Sequence, residues 1–374
     1  MLSTDVVIAG GGPAGSTCAW MLRQAGLDVV VVDKASFPRD KICAGWITPQ
    51  VLDDLQLDAD GYRAGRTFQP ITGFRVGVIE GADAVDTRYD RPVSFGIRRC
   101  EFDDYLLRRS GARVMSGTPV ATIRRDRGRW IVNEAVEAPM LVGAGGHFCP
   151  VARLLNGPAD RAPLITAQEV EIPIDRTDAA AFATEAERPE LYFRRDLSGY
   201  GWCFRKQDHV NVGFGRIGSH ALRAEVAAFI GFLRARRRIP AETSWRLRGH
   251  AYLLGGGTRR RAVEDGVVLA GDAAGLAYPQ SGEGIRPAIE SGLLAASAIL
   301  DARGQYTPDR LMHYERALRT RFDAAPFTRV LARAVPTGVA AAFAQPLIGV
   351  PWFVRHVLLD RWFLRAGEAP LTPH

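Results

Sequence analysis

Cysteine is scarce in this chain: five in 374 residues, Cys18, Cys43, Cys100, Cys149 and Cys203. The number is odd and no two have CxxC spacing, which argues against a disulfide framework and leaves no metal site to expect. Basic runs interleaved with aromatics are missing, so nucleic acid is not an expected partner. The first residues carry no basic stretch ahead of an apolar one, which argues against a secretory leader and for cytoplasmic residence. A long uncharged segment, 334–354, is broken by Pro336, Pro346 and Pro351. These prolines argue against a membrane-spanning helix. Peripheral contact with the inner face of a membrane stays open as an expectation. Repeats and low-complexity linkers are absent as well.

What is present is a large globular chain. Hydrophobic residues make up 47% of it. Its length exceeds the roughly 250–300 residues at which one core divides, so one large or two interleaved domains are expected. The net charge of +7 comes from Arg spread along the chain. Such a surface is either simply solvated or drawn to anionic head groups or a phosphorylated substrate.

The opening reads strand, Gly-rich turn, helix, strand: TDVVIAG, GGPAGS, TCAWMLRQAG, LDVVVVDK. Its short Val-rich runs suit buried parallel strands. A strand-rich middle follows, including LITAQEVEIPI, PELYFRR, GYGWCFRK and HVNVGFGR, then the helix AEVAAFIGFLRARRR. DGVVLAGDAAG returns to a buried strand and turn, EGIRPAIESGLLAASAIL reads as a long apolar helix, and the remainder is helical and Arg-rich. Dinucleotide-type elements thus sit at both ends of the sequence, with the strand-rich block inserted between them.

Gly10-x-Gly12-x-x-Gly15 follows a strand and opens a helix. The first glycine permits the tight turn, the second lets a pyrophosphate reach the backbone, and the third lets helix and strand pack closely. The helix N-terminus offers N–H groups and positive dipole to phosphates. Asp33 ends the second strand, where a carboxylate can accept from an adenosine ribose. Two later features point to FAD. Asp272 closes a strand and would bond ribitol or pyrophosphate. Gly282-Glu283-Gly284 leads into the long helix, whose N–H groups would stabilise the negative charge of a reduced flavin.

On these residues the chain resembles the geranylgeranyl reductase branch of the FAD-dependent oxidoreductases that share the p-hydroxybenzoate hydroxylase-like fold. IAGGGPAGS, FPRDKICAG, Arg99 in RRCEFDDYL, GAGGHFCPVAR, GYGWCFRKQDHVNVGFG and GDAAGLAYPQSGEGI carry the resemblance, over roughly the first 300 residues. It implies an α/β fold: a Rossmann-type FAD-binding domain (1–60, 93–160 and 259–305), an inserted mixed β-sheet substrate domain (61–92 and 161–258) and a helical C-terminal region (306–374). It implies FAD contacts at Gly10, Gly12, Pro13, Ala14, Gly15, Asp33 and Lys34. The loop residues Arg39, Cys43 and Ala44, together with Arg99, are expected to join them. Gly271 and Asp272, and the turn of Pro279, Gly282, Gly284 and Ile285, complete the cofactor set.

FPRDKICAG is unusual for a segment just after a buried strand. In reductases of this branch the cysteine of this loop lies near flavin and substrate, so Cys43 is expected to face the reaction chamber, with the alternative that it is a small hydrophobe. Nearby Lys34, Arg39 and Lys41 would favour a thiolate. Arg39 and Lys41 sit either on FAD, on a substrate phosphate, or in solvent. Tyr200, Trp202 and Phe204 share one face of a strand. That face is either core or a wall of the substrate cavity, and Tyr200 and Trp202 are expected to act with Cys43 in catalysis. Arg205 stands where the family usually has Pro, which puts the local bend in question.

The expected reaction is saturation of a carbon–carbon double bond, in a prenyl lipid or related hydrophobic substrate, by hydride from reduced flavin. Tyr200, His209 and solvent are candidate proton donors. The alternative is a monooxygenase or halogenase acting on an aromatic substrate. Against it, the halogenase WxWxIP and the hydroxylase GADG are both altered here, to YGWCFR and to GAGG at 143–146. A flavin-binding redox sensor or carrier without turnover is a third reading. No second GxGxxG exists, so electrons would come from transiently bound NAD(P)H or from a protein donor.

Overall fold

The computed structural model describes all residues except 82, 159–163, 175–181, 219–220, 242–244, 254–259, 323–345 and 372–374. Two of its sheets build the site. The first has six strands in the order Val263–Glu264, Val267–Leu269, Met140–Gly143, Val6–Ala9, Val29–Val32 and Arg113–Met115. All but the first run parallel. VVIA and VVVV are buried along their whole length, as β-branched runs covered on both faces should be. The ends of four parallel strands, at Ala9, Val32, Gly143 and Leu269, come out in one row.

The helix Pro13–Gln24 follows Val6–Ala9 directly, with Pro at its first turn, where a missing N–H costs nothing. It lies unusually close to its neighbours. A Cβ on Gly15 would fall 1.9 Å from the Gly10 carbonyl oxygen, and one on Gly292, in the helix Ile285–Asp301, would fall 2.5 Å from that of Ala14. The glycines therefore let two helices and a strand converge beside one turn.

The second sheet has seven strands, in the order Arg248–Leu253, Leu164–Pro173, His209–Ile217, Gly199–Lys206, Glu190–Phe193, Gly73–Val78 and Ala84–Arg88. Sequence analysis did not mark Arg248–Leu253 as a strand. One face carries the helix Leu222–Ala235, whose Phe229 ring fills the space above Gly201. The other face turns toward the cavity. Gly199–Lys206 runs unbroken through Arg205, pairing Lys206 with His209. Without the family's Pro the backbone keeps its ladder to the end.

The C-terminal residues divide between the two halves. Pro308–Phe322 places Leu311, Tyr314, Leu318 and Phe322 in the core of the parallel sheet. Ile348, Val354, Leu358 and Phe363 instead pack with Trp46, Phe74, Phe193 and Trp202. Residues 334–345 of the uncharged segment lie outside the described residues. Its remainder includes the exposed Leu347, Val350 and Trp352. Among the described residues no helix is long and apolar enough to cross a membrane.

Candidate active site

A cavity of about 740 Å³ opens where the parallel strands end, and it continues across the face of the second sheet. Ligands of open α/β sheets bind at such carboxyl ends. Gly10, Gly12, Pro13, Ala14, Asp33 and Lys34 line it at one end. Gly15 does not line it; its part is the close helix packing described above.

This end fits a dinucleotide phosphate. The helix Pro13–Gln24 has no side-chain cap and no acid in its first turn, so its N–H groups face the cavity unneutralised. A Cβ on Gly12 would meet only Arg39 Nη2, at 3.4 Å, so here the space belongs to a ligand and not to the fold. Arg39 Nη1 and His147 Nδ1 are buried without a hydrogen-bond partner, and both residues line the cavity. Anionic phosphates would satisfy such donors. Asp33 Oδ2 accepts from Gly11 N at 2.7 Å and Oδ1 from Ala35 N at 2.8 Å, which fixes the turn and leaves lone pairs for a ribose.

The loop 37–46 is tied down by charge. Arg99 Nε and Nη2 donate to both oxygens of buried Asp103 at 2.8 Å, and Arg39 Nη2 reaches the same carboxylate at 3.0 Å. Arg99, Arg39, Cys43 and Ala44 all line the cavity. Lys41 also lines it and is not in solvent: Nζ donates to His250 Nε2 at 2.7 Å. Burial pushes its ammonium down to about 8, against the pull of Asp272. Burial and the Lys41 charge push His250 down to about 3.

Gly271, Asp272, Pro279, Gly282, Gly284 and Ile285 line the middle of the cavity. Gly282 has φ 70°, a left-handed turn that suits glycine. Gly284 caps the helix Ile285–Asp301, where Glu283 Oε1 accepts from Arg286 N at 3.1 Å. Burial pushes Glu283 up to about 7. Behind it, Glu290 accepts from Arg286 at 2.7 Å and from Arg321 at 2.6 and 2.9 Å, which anchors this helix in the core.

Tyr200, Trp202 and Phe204 line the far end, joined by Trp46 and Phe193. Trp46 stacks on Phe204 at 5.0 Å between centroids. The face is therefore both core and wall. Tyr200 donates its hydroxyl to the Ser281 carbonyl at 2.5 Å, and burial raises its pKa further. That hydroxyl braces the turn at Ser281 against the wall. His209, a candidate proton donor in the sequence, does not line the cavity; it bonds Asp208 at 2.7 Å.

Glu169 was missed from the sequence. It is 5% exposed and lines the cavity beside Cys43. Its Oε1 accepts from Cys43 N at 2.5 Å, and its Oε2 is buried without a partner. Ile165 and Ala167 of the same strand also line the cavity. An acid in phase with two inward apolar residues was the available signal.

Residues 5–89 match the family described as DAO, FAD dependent oxidoreductase. A menaquinone reductase of Mycobacterium tuberculosis is 30% identical over 337 residues, covering 80% of this chain and 77% of its own. A digeranylgeranylglycerophospholipid reductase of Methanothrix thermoacetophila is 30% identical over 345 residues, covering 84% and 83%. Among solved structures, a geranylgeranyl bacteriochlorophyll reductase-like protein from Thermoplasma acidophilum superposes with a TM-score of 0.73 at 22% identity, over 100% of this chain and 93% of that one.

Proposed function

The chain belongs to the geranylgeranyl reductase family of FAD-dependent oxidoreductases, and on that footing we propose that it saturates isolated carbon–carbon double bonds in a prenyl-bearing lipid. The observation that carries this reading is the joined cavity: a phosphate-binding end built on Gly10 and Gly12 runs into a chamber walled by Trp46, Tyr200, Trp202 and Phe204. A greasy, uncharged chain fits such a wall, where its burial contributes about 25 cal/mol per Å² of apolar surface. Bound FAD supplies the hydride chemistry.

The chain's own residues orient and enclose. Gly12, Arg39 and His147 hold the pyrophosphate, and Asp33 takes the ribose. The Gly282–Gly284 turn and the helix behind it meet the isoalloxazine. Cys43 and Trp202, linked through Asn211, contact the substrate in the chamber. Transiently bound NAD(P)H or a protein donor supplies electrons. The exposed Leu347, Val350 and Trp352, near Arg355 and Arg361, would meet a membrane surface that holds the lipid.

The test is anaerobic reaction of the dithionite-reduced protein with prenyl phospholipids, prenyl diphosphates and prenylated quinones, followed by mass analysis. A gain of two hydrogens per reduced bond is expected. Oxygen-dependent hydroxylation or chlorination of an aromatic compound, with no saturated product, would replace this reading by the oxygenase one.

A further inference from the structure

We propose that Glu169 is the proton donor of the reduction, holding its proton on Oε2 and delivering it to the alkene carbon adjacent to the one that takes the hydride. This rests on the saturation reading above. Glu169 stands on the strand Leu164–Pro173 with its side chain in the chamber, next to the Trp202 ring. Gly213 makes room for the pair: a Cβ there would fall 2.2 Å from Trp202 and 2.8 Å from Glu169 Cβ.

Its two oxygens are treated differently. Oε1 is fixed by the Cys43 N–H. Oε2 is buried, has no partner and belongs to a cavity-lining side chain. A buried carboxylate oxygen without donors is costly, whereas a carboxyl hydroxyl there keeps the group neutral and points a proton at whatever fills the chamber. A network holds the position. Trp202 Nε1 donates to Asn211 Oδ1 at 2.7 Å, and Asn211 Nδ2 donates to the Cys43 carbonyl at 3.3 Å. Loop, indole and acid are thereby fixed relative to one another.

The charged groups facing Glu169 come from several elements. The Cys43 N–H, Lys206, at the end of Gly199–Lys206 and one strand beyond His209–Ile217, and Arg99, first residue of the helix Arg99–Arg109, favour the carboxylate, and Glu171 on its own strand opposes it. Lys206 is largely occupied by Glu171, at 2.7 Å. Burial outweighs the rest and pushes Glu169 up to about 7. That value suits a general acid near neutral pH.

Two other acidic groups that line the cavity have their own contacts, and neither has an oxygen buried without a partner. Tyr200 donates to Ser281, and Glu283 caps a helix N–H. In the step itself the alkene π bond breaks. The hydride pair, given up as a reduced flavin would be oxidised by two electrons, forms one C–H bond, and the π pair takes the Glu169 proton to form the other. The O–H pair stays on the carboxylate, which solvent reprotonates after product leaves.

The test uses FAD-loaded protein and two readouts. Infrared difference titration of wild type should show a carboxylic C=O band that is lost with a midpoint near pH 7. Burial also pushes Glu283 and Asp54 up to about 7, so the band is composite: one component should vanish in Glu169→Gln, and that same component should persist in Glu283→Gln. Glu169→Gln keeps an oxygen for the Cys43 N–H, so it should fold and hold FAD. Its single-turnover saturation should fall by about 100-fold or more, with an altered solvent deuterium effect as proton transfer from water becomes limiting. Glu169→Asp, which keeps the acid but shortens it, should retain part of the rate. A band unaffected by Glu169→Gln, or a variant that saturates as fast as wild type, overturns the assignment. So does loss of proton transfer in Glu283→Gln alone. If wild type itself forms no saturated product, the functional reading falls and takes this assignment with it.

Discussion

At the Gly10 end of the cavity the ligand groups gather around the backbone N–H groups of one turn, joined by Arg39, His147 and Asp33, whereas at the Trp202 end they are side chains carried on separate strands and a loop. The first arrangement constrains sequence tightly and locally. Gly10, with φ 117°, would put a Cβ 2.4 Å from the Ala144 carbonyl oxygen. The second gathers Cys43, Glu169, Trp202 and Asn211 from far apart in the chain. A backbone site cannot change without losing the cofactor. A side-chain site can change its substrate while the fold stays, which is how one fold hosts several chemistries.

This contrast can be broken by mutation. The largest effect belongs to Gly15→Val, where the new side chain meets backbone on a buried helix. A loss of more than about 4 kcal/mol, measured by denaturant unfolding or as absence of soluble protein, is expected. Gly12→Val comes next and differs in kind. Only the tip of Arg39 lies near, so the chain should fold but be colourless, with FAD content read by absorbance. A folded Gly12→Val that keeps full FAD would erase the distinction between the ends. Cys43→Ala should hold FAD and alter turnover or the number of bonds reduced, read by mass analysis of products.

The smallest effect is on stability. Glu169 binds its proton more tightly folded, at about 7, than at its ordinary 4.5. Its contribution is therefore complete below about pH 4.5 and is lost as pH rises to about 7. Glu169→Gln lacks that loss. Relative to wild type it should gain on the order of 2–3 kcal/mol between those limits, seen as a growing Tm difference.

The same contrast decided what could be read from the sequence. Gly10, Gly12, Gly15 and Asp33 stand at fixed spacing because one turn demands it, so the parallel sheet and its phosphate end were legible. The Tyr200–Phe204 alternation was legible too, since a strand has period two. The strand's reach to Lys206 was read as well, but the burial of that lysine was not, because a lysine at a strand end reads as solvated. Here Lys206 is held by Glu171 and the Ile97 carbonyl at 2.9 Å. Glu169 was hidden for the same reason: its meaning comes from Cys43 N, 126 positions away in sequence. His209 shares the phase of Asn211 and Gly213, but it stands at the strand's end beside the tight turn at 207–208, bonded to Asp208 and beyond the cavity lining.

A crystal structure of the FAD complex tests the central claim most directly. The account predicts pyrophosphate density against Gly12 and Arg39, with the isoalloxazine between the Gly282–Gly284 turn and the Trp202 wall and Glu169 Oε2 facing the space beside it. Adenine lying against Trp202, or an isoalloxazine placed outside the chamber, would contradict it.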